Sequence, residues 1–83
     1  MYEGWHFEFT AHARRRMHER LVDEADVRAT LASPDSVEDD PHHGGRLIAK
    51  YLPEWDRILI LALEERESEG VLSIKTVLWS KAK

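Results

Sequence analysis

The run Arg57-Ile58-Leu59-Ile60-Leu61-Ala62-Leu63 is apolar at every position after the first. A strand with one face in water alternates apolar and polar residues. One that is apolar throughout is buried on both faces and lies at the centre of a sheet. The chain must therefore place a neighbour on each side of this run and a cover over each face. The flanking segments supply the neighbours. Arg46 to Leu52 reads as a strand, and so does Val71 to Trp79, with Leu72, Ile74 and Leu78 on one face and Val71, Val77 and Trp79 on the other. Pro53-Glu54-Trp55-Asp56 and the charged Glu64 to Gly70 hairpin loop connect them. Connections this short make the neighbours antiparallel.

The first half of the chain has a different period. Trp5-His6-Phe7-Glu8-Phe9 alternates like a half-buried edge strand or an extended lead-in. Thr10 is placed to N-cap a helix running to about Arg20. A second helix follows, with Asp23 as N-cap, Asp26 at its third position and Val22 and Val27 as a hydrophobic staple. Arg15 with Glu19, and Glu24 with Arg28, are spaced for i, i+4 pairs. Ser33-Pro34 ends the second helix, since a residue before proline is pushed out of the α region. Ser36 to Asp40 is short and acidic, and Pro41-His42-His43-Gly44-Gly45 is a turn. The expected architecture is a single α+β domain over residues 1–83. Two N-terminal helices pack on one face of a three- to four-stranded antiparallel sheet. The other face then needs a cover: a second copy, another chain, or the N-terminal aromatic segment folded across it.

Within the first helix, His12, Arg16 and Arg20 fall at i, i+4 and i+8. That spacing puts them on one stripe, within roughly 80° of arc at about 3.6 residues per turn. Ala13, Met17 and Leu21 form the adjacent apolar seam. The helix thus has a side to bury and, beside it, a His/Arg/Arg line along the rim. Arg14, Arg15 and His18 read as outer surface.

Charge narrows the function. The net charge is −4, which disfavours a general nucleic-acid binder, whose affinity comes from Lys and Arg neutralising phosphates. The distribution is uneven, however. The first helix is basic, while Asp23, Glu24, Asp26, Asp35, Glu38, Asp39 and Asp40 follow against a single Arg28. A basic helix on an acidic chain is either a phosphate site or the pairing partner of its acidic neighbour. No run approaches the ~18 apolar residues of a membrane span. There is no cysteine and no basic-then-apolar leader, so the cytoplasm is the expected location.

The His-Ala-x-x-Arg-Met-x-x-Arg pattern at His12–Arg20, the short acid-capped helix ending at Ser33-Pro34 and the strand through Ile74-Lys75-Thr76-Val77 resemble a bacterial and phage family. It is a domain of unknown function similar to the nuclease-like fold shared by barnase, EndoU, colicin-type tRNases and RelE-type toxins. The resemblance implies a small metal-independent ribonuclease without cofactor, of the kind found as the toxin of a toxin–antitoxin pair. His12, Arg16 and Arg20 match its helix motif, and Thr76 matches a polar residue of its last strand.

Metal-free RNA cleavage needs a base for the 2′-hydroxyl proton, a cation for the phosphorane and an acid for the departing 5′-oxygen. Histidine suits the proton transfers near neutral pH. Arginine holds phosphate oxygens through its fork and keeps its charge. The stripe supplies one histidine and two arginines, and Arg57, Lys75 and Thr76 are candidate contacts from the sheet. The second proton carrier is not identified. His42-His43 beside Asp39-Asp40 have metal-ligand chemistry but read as a solvated turn, and no metal is expected. The alternative is structural: His12 bonds a backbone carbonyl or the Thr76 hydroxyl, and Arg16 and Arg20 pair with the acidic segments. The protein is then a non-catalytic module that binds an antitoxin, another partner or a second copy through the open sheet face.

Overall fold

The computed structural model describes residues 2–81. Five strands, β1 (His6–Phe9), β2 (Ser36–Asp39), β3 (Arg46–Leu52), β4 (Arg57–Arg66) and β5 (Val71–Lys81), form one sheet in the order β1-β5-β4-β3-β2. Helices α1 (Ala11–Arg20) and α2 (Glu24–Ala32) lie between β1 and β2 in sequence and pack on one face. The fold is α+β, as the residue pattern implies, and β4 is the central strand. The sheet differs from the expected one in two ways. It has five strands, and it is mixed: β2, β3, β4 and β5 pair antiparallel, but β1 runs parallel to β5. The short-connection rule governs only strands adjacent in sequence. Between β1 and β2 the chain makes two helices and crosses the sheet, so β1 meets the far end of the chain.

Local chemistry sets the helix ends. The Thr10 hydroxyl accepts the Ala13 amide at 3.0 Å and donates to the Lys75 carbonyl at 3.2 Å, so the cap of α1 is pinned to β5. The Asp23 amide donates to Asp26 Oδ2 at 3.2 Å, and Val22 and Val27 are both buried beside it. Leu21 does not join the buried seam of Ala13 and Met17. It sits just past the helix with φ 55° and is 75% exposed, because the left-handed turn that ends α1 swings it outward. Neither expected i, i+4 pair forms. Glu24 bonds Arg14 at 2.9 Å, Glu19 bonds Arg16 at 2.8 Å, and Arg28 stacks over the Phe7 ring at 5.0 Å.

The strand β4 continues through Glu64 to Arg66, which shortens the hairpin loop to a 3-10 turn at Glu67–Glu69 and Gly70. Its partner β5 carries a bulge. Ala62 faces Thr76 and Leu63 faces Ile74, which leaves Lys75 as the extra residue. Ile74 and Val77 are consequently both fully buried under the helices with Leu59, Leu61 and Leu63. Strict alternation puts Ile74 and Val77 on opposite faces; the bulge resets the alternation and corrects that assignment. Leu47, Ala49, Ile58, Ile60 and Leu78 are half-buried on the face away from the helices, with Tyr51 38% exposed at its end. The N-terminal aromatic segment does not cover that face. Trp5, Phe7 and Phe9 pack on the helix-side core.

The β2–β3 turn is held against β4 by Gly45. Its φ is +80°, and a Cβ there would lie 2.2 Å from the Leu63 carbonyl oxygen. Gly45→Ala is expected to destabilise the fold by about 1–3 kcal/mol through backbone strain and displacement of the turn. Urea denaturation would show this as a lower midpoint with an unchanged slope.

Candidate functional site

A cleft of about 260 Å³ is lined by His12, Asp40, His43, Ala62, Lys75 and Thr76. Four segments meet there. His12 comes from the first turn of α1, Asp40 and His43 from the β2–β3 turn, Ala62 from β4, and Lys75 and Thr76 from the bulge in β5. The floor is the Ala62–Thr76 pair, on the opposite side of β4 from Leu61 and Leu63.

The turn is built around Asp40. Its side chain is 7% exposed, and its Oδ1 accepts the amides of His42 at 3.0 Å and His43 at 3.2 Å. Its other oxygen lies 3.5 Å from His43 Nδ1. The His42 amide, above all, together with the His43 amide and the nearby His43 and Lys75 charges, holds the Asp40 carboxyl below its ordinary 3.8 despite partial desolvation. His43 is thus approached by a carboxylate on its Nδ1 side, while its ring is 78% exposed and has no partner at Nε2. Lys75 Nζ donates to the Gly44 carbonyl at 3.1 Å, which ties the turn to the bulge. Across the cleft, the exposed His12 imidazole and the Thr76 hydroxyl have no hydrogen-bond partner among the described residues. The site therefore combines two imidazoles, one with the Asp40 carboxylate 3.5 Å from its Nδ1, with an ammonium and a hydroxyl.

Residues 9–79 match the DUF4258 family, a domain of unknown function. The chain belongs to that family. No curated protein and no solved structure matches it. The matched span of the DUF4258 domain includes both helices and every residue of the cleft. No helix among the described residues is long and apolar enough to cross a membrane.

The expected site residues divide into two sets. His12, Lys75 and Thr76 come together in the cleft. Arg16, Arg20 and Arg57 do not line it. Arg16 is half-buried and bonds Glu19. Arg20 donates to the Val77 carbonyl at 2.5 Å, while its own carbonyl accepts Trp79 Nε1 at 2.8 Å. This pair of bonds fastens the end of α1 to β5. Arg57 stacks over Trp79 at 5.8 Å and lies five residues along β4 from Ala62, about 17 Å away at the strand rise. Asp40 and His43 are the members that sequence reasoning missed. Their signal was the His42-His43 pair in an Asp-initiated, Gly-closed turn, but only the pairing of β3 with β4 and of β4 with β5 brings that turn beside His12.

Arg20→Ala is expected to cost about 1–3 kcal/mol of stability, as loss of a part-buried charge-assisted hydrogen bond. His12→Ala is expected to stay within about 0.5 kcal/mol of wild type, as an exposed side chain without partners. Chemical denaturation of the two variants separates fastening from availability. Asp40 gives a pH prediction. A carboxyl whose folded pKa is depressed contributes stability above its unfolded value and loses it as pH falls through the folded value. The melting temperature of wild type should exceed that of Asp40→Asn near neutrality, and the gap should narrow on acidification through and below pH 3.8. A gap that stays constant with pH would show that the charge on Asp40 contributes nothing.

Proposed function

We propose that this DUF4258 domain is a metal-independent ribonuclease with a RelE/barnase-like fold, acting on RNA phosphodiesters as a toxin-type protein of the cytoplasm. The observation that carries the reading is the meeting of two imidazoles, His12 and the Asp40-backed His43, in one cleft with Lys75. His43 fills the role for which the helix stripe offers no residue.

One neutral imidazole takes the proton of the ribose 2′-hydroxyl as its oxygen attacks phosphorus. The other, protonated, gives its proton to the 5′-oxygen as the P–O5′ bond breaks. The products are a 2′,3′-cyclic phosphate and a 5′-hydroxyl end. Lys75 carries the negative charge that grows on the phosphorane, and the positive end of α1 beside His12 favours the same anion. Thr76 donates to a phosphate or sugar oxygen. Arg16 stands one turn from His12 on the rim but is bonded to Glu19, and it meets a flanking phosphate only by giving up that bond. Arg20 acts by holding α1 to β5, and Arg57 is too far along the sheet to touch the same linkage.

A second reading has its own observation. The half-buried Leu47, Ala49, Ile58, Ile60 and Leu78 form an apolar face that no described residue covers. That face, which runs into the cleft at the Leu47–Ala62 pair, suits a non-catalytic module of a toxin–antitoxin or phage-related system, which binds an antitoxin or a second copy there.

The two readings part in one assay. Purified wild-type protein is incubated with a single-stranded RNA in chelator, beside folded His12→Ala and His43→Ala. Under the ribonuclease reading each substitution lowers the cleavage rate by about 10²–10⁴-fold, the usual contribution of a positioned acid or base. The wild-type rate follows a bell-shaped pH profile, because one imidazole must be neutral and the other charged. Expression of wild type in bacteria arrests growth, and either variant relieves it. Intact RNA and unimpaired growth with wild type would overturn the reading in favour of the binding module.

A further inference from the structure

We infer that the cleft reads the ribose–phosphate backbone and leaves the base outside, so that its substrate is unpaired RNA of any sequence. This rests on the ribonuclease reading and goes beyond it, to what the site recognises. Size is the first argument. About 260 Å³ is below the roughly 300–1,000 Å³ of pockets that enclose a drug-sized ligand. As an open cleft of this size it can seat a phosphate and the adjoining sugar without enclosing the base.

The lining is the second argument. A base is recognised by hydrogen bonds to its edges or by stacking on an aromatic ring or a guanidinium plane. No Phe, Tyr, Trp, Arg, Asn or Gln lines the cleft. Several backbone groups of the turn that could read an edge are already committed. The His42 and His43 amides go to Asp40, the Gly45 carbonyl accepts the Asp40 amide at 3.0 Å, and the Gly44 carbonyl accepts Lys75. The side-chain groups that remain are two imidazoles, the free protons of an ammonium, and a hydroxyl. These are partners for phosphate and sugar oxygens, which every nucleotide presents alike. An imidazole transferring protons through its nitrogens meets the backbone edge-on and does not lie flat beneath a base.

The third argument is where the aromatic rings are. Phe7 and Phe9 are capped by Arg28 and Arg14, Trp5 packs edge-on against Tyr2, and Trp55 packs against Trp79. Tyr51, the exposed ring on the open face, pairs with Ile58, four residues along β4 from Ala62, and bonds Asp56 through its hydroxyl. No Phe, Tyr or Trp ring lines the cleft, and the two imidazoles there are the proton carriers. Unpaired RNA is required because a duplex holds the 2′-hydroxyl out of line with the bond that must break.

The test uses DNA oligonucleotides with a single ribonucleotide, which allow cleavage at one linkage only. One series varies that ribonucleotide through A, C, G and U. A second varies the deoxynucleotide after it. Single-turnover rates are measured with wild type and His12→Ala. The expected result is His12-dependent cleavage of every member, with rates within about tenfold across each series, the factor that 1.4 kcal/mol of discrimination would produce. His12-dependent cleavage with a preference above about tenfold for one base would overturn this inference and leave the ribonuclease reading standing. Absence of His12-dependent cleavage across both series would overturn both. Annealing a complementary strand is expected to abolish cleavage, and equal cleavage of the duplex would overturn the requirement for unpaired RNA.

Discussion

The rest of the structure depends on one irregularity in strand pairing, the extra residue at Lys75 between the Leu63–Ile74 and Ala62–Thr76 pairs. Without it, β5 would alternate strictly, and Ile74 and Val77 could not both enter the core beneath the helices. The bulge also frees the Lys75 carbonyl to accept the Thr10 hydroxyl, while the Ile74 carbonyl accepts the Thr10 amide at 3.1 Å. That fixes where β1 ends and α1 begins. It turns the Lys75 and Thr76 side chains to one cleft, where Lys75 catches the β2–β3 turn through Gly44. Core closure, helix placement and turn placement thus share a single residue of slack.

The charge distribution reads differently once the pairs are known. The excess of carboxylates suggested an electrostatic conflict with a phosphate ligand. Among the described residues, five of the sixteen acidic side chains are paired locally with arginine: Glu24 with Arg14, Glu19 with Arg16, Glu65 with Arg46, and Glu8 and Glu69 with Arg66. The one carboxylate lining the cleft, Asp40, is tucked under the turn, with one oxygen accepting two amides and the other facing His43. An acidic chain can therefore present a cleft in which the free polar groups are neutral or cationic. Net charge governs long-range approach and its salt dependence, and the local set of unpartnered groups governs what the cleft accepts at contact.

Much of the fold was legible because its signals are local. The doubly apolar run at Ile58–Leu63, the Thr10 and Asp23 caps and the Ser33-Pro34 stop each depend on a few neighbouring residues. The parts that were not legible depend on distant pairing. Nothing near His6–Phe9 announces a parallel partner more than sixty residues away, and a bulge at Lys75 leaves no composition signal, because alternation looks intact on either side of it. The same division holds at the site. His12, Lys75 and Thr76 could be singled out by residue type and by resemblance. His43 could not, because its turn is ordinary until the pairing of β3, β4 and β5 lays it over the bulge. Leu21 shows the converse: helical spacing assigned it to the seam, and a left-handed backbone took it away.

Availability separates the cleft from the basic stripe that first drew attention to α1. Arg16 and Arg20 have the right chemistry for phosphate, but Arg16 is spent on Glu19 and Arg20 on joining helix to strand. Removing either from its present partner to meet a ligand costs the bond it already makes. In the cleft the division of labour is reversed. The structural bonds there are made by groups that need not act on a ligand: the Thr10 hydroxyl, the turn amides and the buried Asp40 carboxylate. They leave His12, Thr76 and the Nε2 side of His43 without a competing partner. Lys75 does both, since an ammonium has three protons and Gly44 takes one. A fold that holds its framework with backbone and buried groups keeps its exposed proton carriers free. By that criterion, rather than by charge or helical spacing, the proposed site is the cleft between α1, the β2–β3 turn and the bulge.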